Sequence, residues 1–223
     1  MLNPMFRGAD GGEIPLPQLE VSNFNFANMK RILKIFSLVG SSLFTVSCNN
    51  SDLSESERVI VIQPLGEFKS SHSKDLLTGL KVFKNQVYIK QSIEIPKSFY
   101  VHHRKRYRAD SIIKFLRQLH GKDTLTVGIT DYDISTTKNG IQDWGVMGLG
   151  YRPGKSCVVS TFRLHKRNMK EQFCKVVLHE IGHTFGLPHC EDKTCLMRDA
   201  EGGNPLNEEK DFCKQCKERL KLD

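Results

Sequence analysis

Apolar and polar positions divide this chain into short elements of both kinds. The β-branched run Val59–Ile62, closed by Pro64 and Gly66, predicts a buried strand at the start of a folded domain. A helical turn at Leu76–Val82 precedes a second stretch, Asn85–Pro96, rich enough in β-branched and aromatic residues to predict a strand. From Tyr107 to His120 the residues Ile112, Ile113, Leu116 and Leu119 recur at helical spacing, and Gly121 is placed to end that helix. A strand at Thr124–Thr130 follows, then an acidic loop through Asp131 and Asp133. Next comes a pair of strands at Asp143–Gly150 and Ser156–Leu164 around the turn Tyr151–Lys155. The segment Phe173–Phe185 is apolar enough for a buried helix. Helices and strands are mixed and no internal repeat appears, so the fold class is α/β or α+β.

The N-terminal part follows another pattern. Lys30, Arg31 and Lys34 precede an apolar run, Ile35–Val46, that is too short to span a bilayer and has the layout of a secretory signal. Its end, Thr45-Val46-Ser47-Cys48, resembles the lipobox of bacterial lipoproteins, with threonine where leucine is usual. Residues 29–47 are therefore expected to be a lipoprotein signal peptide and Cys48 the lipidated residue, with an ordinary cleaved signal as the alternative. Residues 48–57 are polar and acidic and predict a flexible tether. Residues 1–28 lack periodicity and basic character and are read as not part of the native product, which would start at Met29. On this reading the protein is anchored to a membrane by lipid in the bacterial cell envelope, and residues 58–223 form one domain.

The chain holds 33 Lys and Arg against 25 Asp and Glu, a net charge of +8. Such a surface tolerates nucleic acid or anionic lipid without demonstrating either. The densest basic run, His102–Arg108, is accompanied only by Tyr100 and Tyr107 as stacking aromatics. It is read as a solvated loop leading into a helix. No specific nucleic acid is expected, and the chain is read as a monomer.

His179-Glu180-Ile181-Gly182-His183 closes the predicted buried helix. Positions four apart share one helix face, so the imidazoles of His179 and His183 can converge on one ion. Glu180 points aside and can reach a water rather than the metal. Gly186 suits the left-handed conformation that ends a helix, and the reversal brings His189 back as a third ligand. One coordination position stays open for water, whose pKa zinc lowers to near neutral. With Glu180 as general acid and base, these parts make an amide hydrolase.

Seven cysteines are present. Cys190, Cys195, Cys213 and Cys216 form two close pairs separated by a loop, which fits a closed thiolate site for a structural zinc; two disulfides are the alternative. Cys174 on the buried helix is most simply a small hydrophobe, and Cys157 falls in a strand.

The string HEIGHTFGLPHC (His179–Cys190), then Cys195-Leu196-Met197, then Cys213-x-x-Cys216, resembles the motif of the archaemetzincins among the metzincin zinc metallopeptidases. Fifteen residues separate Met197 from Cys213, about two fewer than is usual in that family. Segments Tyr107–Leu116, Leu125–Ser135 and Asp143–Leu164 are similar to the family's catalytic domain, so the resemblance spans residues 58–220. It implies a mixed twisted sheet, the HExxH helix as back wall, and a small C-terminal subdomain stapled by zinc. It further implies two zinc ions, the catalytic one held by His179, His183 and His189 and the structural one by Cys190, Cys195, Cys213 and Cys216. Glu180 is then the acid/base, and Met197 the methionine of the turn beneath the metal. Asp143–Gly150 becomes the strand on the cleft rim, able to add an extended peptide to the sheet.

The expected function is zinc-dependent hydrolysis of a peptide or protein substrate, by endo- or aminopeptidase action. Two alternatives stand beside it: a catalytically silent zinc-binding envelope protein, and a basic nucleic-acid-binding zinc module.

Overall fold

The computed structural model describes residues 58–68 and 71–222. Residues 1–57, with the expected signal segment, Cys48 and the tether, lie outside them. The chain runs through β1 (Val59–Leu65), α1 (Ser71–Leu80), β2 (Val87–Ile89), β3 (Tyr100–Val101), β4 (Arg106–Arg108) and α2 (Ala109–Leu119). It continues through β5 (Thr124–Thr130), β6 (Ile134–Lys138), β7 (Ile141–Val146), β8 (Gly148–Gly150) and β9 (Ser156–Ser160) to α3 (Met169–Thr184) and α4 (Lys214–Leu220).

The most apolar strands lie in the middle of a five-stranded sheet ordered β2-β1-β5-β9-β8. Pairing is parallel except at the β8 edge, which runs antiparallel to β9. β1 and β5 are buried along nearly their whole length because helices cover both faces, which is why they read as continuous apolar runs rather than alternating ones. On one face Ile112, Ile113 and Leu116 of α2 meet Leu65 and Val158. On the other, Leu76 and Leu80 of α1 and Phe173, Val177 and Ile181 of α3 meet Ile60, Ile62, Val127 and Val159. Each fully buried aliphatic side chain in these layers stabilises the fold by about 1.5–3 kcal/mol.

A second, smaller sheet is ordered β3-β4-β6-β7. The segment read as an acidic loop leads straight into its strand β6, which turns back as a hairpin onto β7 through Asn139 and Gly140. Both turn residues have positive φ, 51° and 78°, as a tight two-residue hairpin turn requires. Asn-Gly was the legible signal for it. The acidic residues are consumed internally: Asp133 takes Arg106 at 2.7 Å and Arg163 at 2.8 and 2.9 Å, and Asp143 takes Arg108 at 2.8 Å. The hydrogen bond from Arg108 holds the Asp143 carboxyl below the usual range. Two arginines of the basic run thus tie the small sheet together, and β4 occupies Tyr107 and Arg108 where a helix was expected.

Other elements differ in extent. The strand expected at Asp143–Gly150 is two strands, β7 in the small sheet and β8 in the large one, so the chain changes sheets at Met147. Gly145 permits this passage, because the Arg163 guanidinium fills the place a Cβ would take. Of Asn85–Pro96 only β2 is regular, and β9 ends at Ser160. The C-terminal helix α4 was not foreseen. The fold is nevertheless the mixed α/β architecture expected, with the cleft between the edge strand β8, α3 and the segment that follows α3.

Candidate active site

Helix α3 supplies two of the three histidines and ends where the sequence predicts. Gly186 has φ +94°, its N–H donates to the His183 carbonyl at 2.9 Å, and the Leu187 N–H donates to the Gly182 carbonyl at 2.9 Å. This pair of bonds is the Schellman closure of a helix. It turns the chain so that His189 returns to the helix face. The imidazoles of His179, His183 and His189 then converge, with one ligand nitrogen of each lying within 4.8 Å of the others.

Their outer nitrogens are tied. His179 Nδ1 lies 2.6 Å from the Leu196 carbonyl, His183 Nδ1 2.8 Å from the Leu187 carbonyl, and His189 Nδ1 3.3 Å from Asp199 Oδ2. These acceptors fix the tautomer that leaves Nε2 as a lone-pair donor. His183 Nε2 and His189 Nε2 are 3.2 Å apart, close to the edge of about 3.3 Å that a tetrahedral zinc with bonds of about 2.0–2.1 Å imposes. Burial, then the neighbouring His183, holds His179 down to about 3, and burial likewise lowers His183 and His189. The lowering favours the neutral form that a metal ligand must have. The donor set fits zinc.

Glu180 is buried beside them, and burial pushes its carboxyl up to about 8. The edge strand leaves room for it only through glycine: a Cβ on Gly148 would lie 2.5 Å from Glu180 Oε1, and one on Gly150 3.1 Å from Oε2. Met197 is fully buried against α3, where a Cβ on Gly182 would meet its sulfur at 2.5 Å. Its neighbour Leu196 supplies the carbonyl behind His179. A cleft of about 600 Å³ opens over these groups, lined among others by Val146–Gly150, Arg198–Ala200, Gly202–Leu206 and Glu209.

The four cysteines form the second cluster. All are free thiols, with Cys190 Sγ and Cys213 Sγ 3.7 Å apart and Cys195 Sγ and Cys216 Sγ also 3.7 Å apart. A tetrahedron with Zn–S of about 2.3 Å has an edge of about 3.8 Å. The Cys195 sulfur accepts backbone N–H groups of Met197 at 3.4 Å and Cys213 at 3.3 Å. Burial raises the Cys195 thiol to about 11 and Cys216 further still. Cys213, which burial also pushes upward, is brought below its ordinary value by hydrogen bonds from the Cys216 backbone and the neighbouring sulfurs. A bound divalent cation would favour ionisation of all four thiols, and this donor set fits structural zinc too.

The histidines, Glu180, Met197 and the four cysteines named from the sequence are brought together here, whereas Asp199, Glu209 and the glycines facing Glu180 were not named. Asp199 was legible in principle, since metal-binding histidines are commonly backed by a carboxylate or carbonyl. The carbonyls of Leu187 and Leu196 carry no side-chain signal at all. Cys157 is buried, and burial pushes its thiol up; Cys174 sits against Gly79. Among the described residues, neither joins a cluster of metal-binding groups.

An HExxH helix on a mixed sheet, a returning third histidine and a buried methionine packed on that helix mark the class, a zinc metallopeptidase of metzincin type. More particularly, the model for Peptidase family M54 matches residues 61–222, and the chain belongs to that family. Curated relatives include the archaemetzincin of Haloquadratum walsbyi, 27% identical over 73% of this chain and 99% of its own. The archaemetzincin of Nanoarchaeum equitans is 34% identical over 68% of this chain and 84% of its own. The crystal structure of archaemetzincin from Methanopyrus kandleri superposes with a TM-score of 0.65 at 25% identity, covering 76% of this chain and 97% of that one. That from Archaeoglobus fulgidus, complexed with malonate, gives 0.63 at 27% identity, covering 72% and 98%.

These relatives correct the expected localisation. They come from archaea, not from a bacterial envelope, and the match to the family begins at residue 61, after the signal-like segment. Among the described residues no helix is long and apolar enough to cross a membrane. A basic start and a short apolar run carried that expectation, and a lipobox with threonine at its defining position was too weak to sustain it.

Proposed function

We propose that residues 58–223 are a catalytic domain that hydrolyses peptide bonds with two zinc ions, one catalytic on His179, His183 and His189 and one structural on Cys190, Cys195, Cys213 and Cys216. The observation that carries this reading is the convergence of three imidazoles, each with its outer nitrogen tied, beside a buried glutamate. When bound there, zinc supplies Lewis acidity that polarises the scissile carbonyl and acidifies water. Glu180 takes the proton of the attacking water on its carboxylate and delivers it to the leaving amine nitrogen as the C–N bond breaks. Burial raises the affinity of this carboxylate for the proton it must accept, and a cation bound on the histidines would keep the resting group ionised.

The substrate backbone lies extended along β8, the unpaired edge of the large sheet, and adds to it as a strand. Gly148 and Gly150 keep that edge low, so the backbone approaches Glu180 without side chains between. The cysteine cluster holds the segment that carries Leu196 and Met197 against α3.

The test is cleavage mapping of a peptide library by the zinc-loaded protein, with Glu180→Gln beside it and zinc content measured in both. Loss of cutting by about 10²–10⁴-fold at unchanged zinc content is expected. Undiminished cutting by Glu180→Gln would remove the assigned role, and no cutting by folded, zinc-replete protein would overturn the peptidase reading. The same map separates internal cleavage from trimming of ends.

A further inference from the structure

Glu209 lies on the wall of the cleft and is 3% exposed, yet its Oε2 has no hydrogen-bond partner. A cation is at hand but engaged. Lys175 of α3 donates to the carbonyls of Leu206 and Glu209, each at 2.8 Å, and to the Glu171 carboxylate at 2.6 Å. That exhausts the three donors of an ammonium. Arg198 Nη1, also on the cleft, is committed to Glu208 at 2.6 Å.

A buried acceptor without a donor is costly, and native chains rarely keep one idle. Glu209 lines the same cleft as His179 and Glu180. Val176, Pro205 and Leu206 line the wall with it, apolar surface of the kind that accepts an aliphatic stem ending in a charge. We propose that Glu209 is a specificity-determining residue that accepts a hydrogen bond from a cationic nitrogen of the peptide substrate, a lysine or arginine side chain or a free α-amine. The apolar wall favours the side-chain source. Burial holds the Glu209 carboxyl up to about 7, and an incoming cation would draw it back to the carboxylate. The inference rests on the peptidase reading only in that a peptide carries the cation.

Trp144, the chain's single tryptophan, lines the cleft and reports its occupancy. Its fluorescence is titrated in zinc-loaded Glu180→Gln with acetylated peptides in which one lysine is walked through an alanine frame, each beside its norleucine counterpart. Norleucine peptides with a free N-terminus form the third arm. Lysine at one position should bind about 10–100-fold more tightly than norleucine, and adding Glu209→Gln should abolish the difference; Glu209→Met serves if the amide fails to fold. Preference confined to the free-amine arm and lost with Glu209→Gln identifies the α-amine as the source. Equal binding in all arms, binding too weak to detect in any, or a preference that survives loss of the carboxylate overturns the proposal. Cleavage of the same peptides by the native zinc-loaded protein separates the two readings. Cutting indifferent to charge refutes this inference and spares the peptidase, whereas cation-dependent binding without cutting does the reverse.

Discussion

Asp199 and Gly148 show how much of the site depends on residues that touch no substrate. The Asp199 carboxylate, 3.3 Å from His189 Nδ1, fixes the tautomer and the ring of the one clustered histidine that α3 does not carry. Backbone hydrogen bonding at Glu201 holds its carboxyl below the usual range, so it stays an acceptor through the neutral region. Asp199→Asn should weaken the histidine-site metal by about 10–100-fold, read by competition with a chelator, while the thermal midpoint of the metal-free protein moves little. Gly148 acts by absence. A methyl there would sit 2.5 Å from Glu180 Oε1, so Gly148→Ala must displace the carboxylate. Turnover should fall by about 10²-fold or more with zinc content and fold retained; an unchanged rate would mean the carboxylate has freedom that its packing denies.

Helix α3 and the turn after it are the element on which the site depends most. Gly186 at φ +94° closes the helix with two hydrogen bonds and returns His189 to its face. Gly186→Ala forces a β-carbon into that conformation, at a cost of about 1–2 kcal/mol. It should lower both the thermal midpoint and the metal affinity of the histidine site, where a purely structural turn would lower only the first. This element was legible because its information is local: helical spacing for two ligands, a glycine for the reversal, and three residues to the next histidine. The small sheet was not, because β3 is two residues long and β4 and β6, of three and five residues, are mostly polar. Their stability comes from Arg106, Arg108 and Arg163 meeting Asp133 and Asp143 across the sheet, and such pairing leaves no periodicity in the sequence. The break between β7 and β8 was hidden for a related reason, since a strand that changes sheets keeps its extended backbone and its composition. Asn139-Gly140 is the one local sign of the small sheet, a two-residue hairpin turn with both residues at positive φ.

Across the whole molecule two features couple distant parts. The first is the charge of Glu209. Its carboxyl titrates at about 7 when folded against 4.5 ordinarily, raised by burial and restrained by Lys175 and Arg198. Between those values the folded state holds a proton that the unfolded chain has released, so stability falls as pH rises through that window. Glu209→Gln cannot ionise. The difference in thermal midpoint between this variant and the native protein should be near zero below pH 4.5, grow in the variant's favour, and level off above pH 7. A constant offset would show that some contact other than the charge is responsible.

The second coupling joins the two metal clusters through the chain itself. His189 and Cys190 are adjacent, the Cys190 N–H donates to the Met197 carbonyl at 2.8 Å, and Cys195 lies one residue before Leu196, whose carbonyl backs His179. Removing a cysteine should therefore loosen a site to which it donates nothing. Cys216→Ser, at the far end of the sequence from the histidines, is expected to lose one zinc by native mass spectrometry and to weaken the histidine-site metal by about tenfold. If the histidine site keeps its native affinity after that loss, helix α3 and its Schellman turn alone hold the imidazoles. The cysteine cluster would then serve only to close the C-terminal chain against the core.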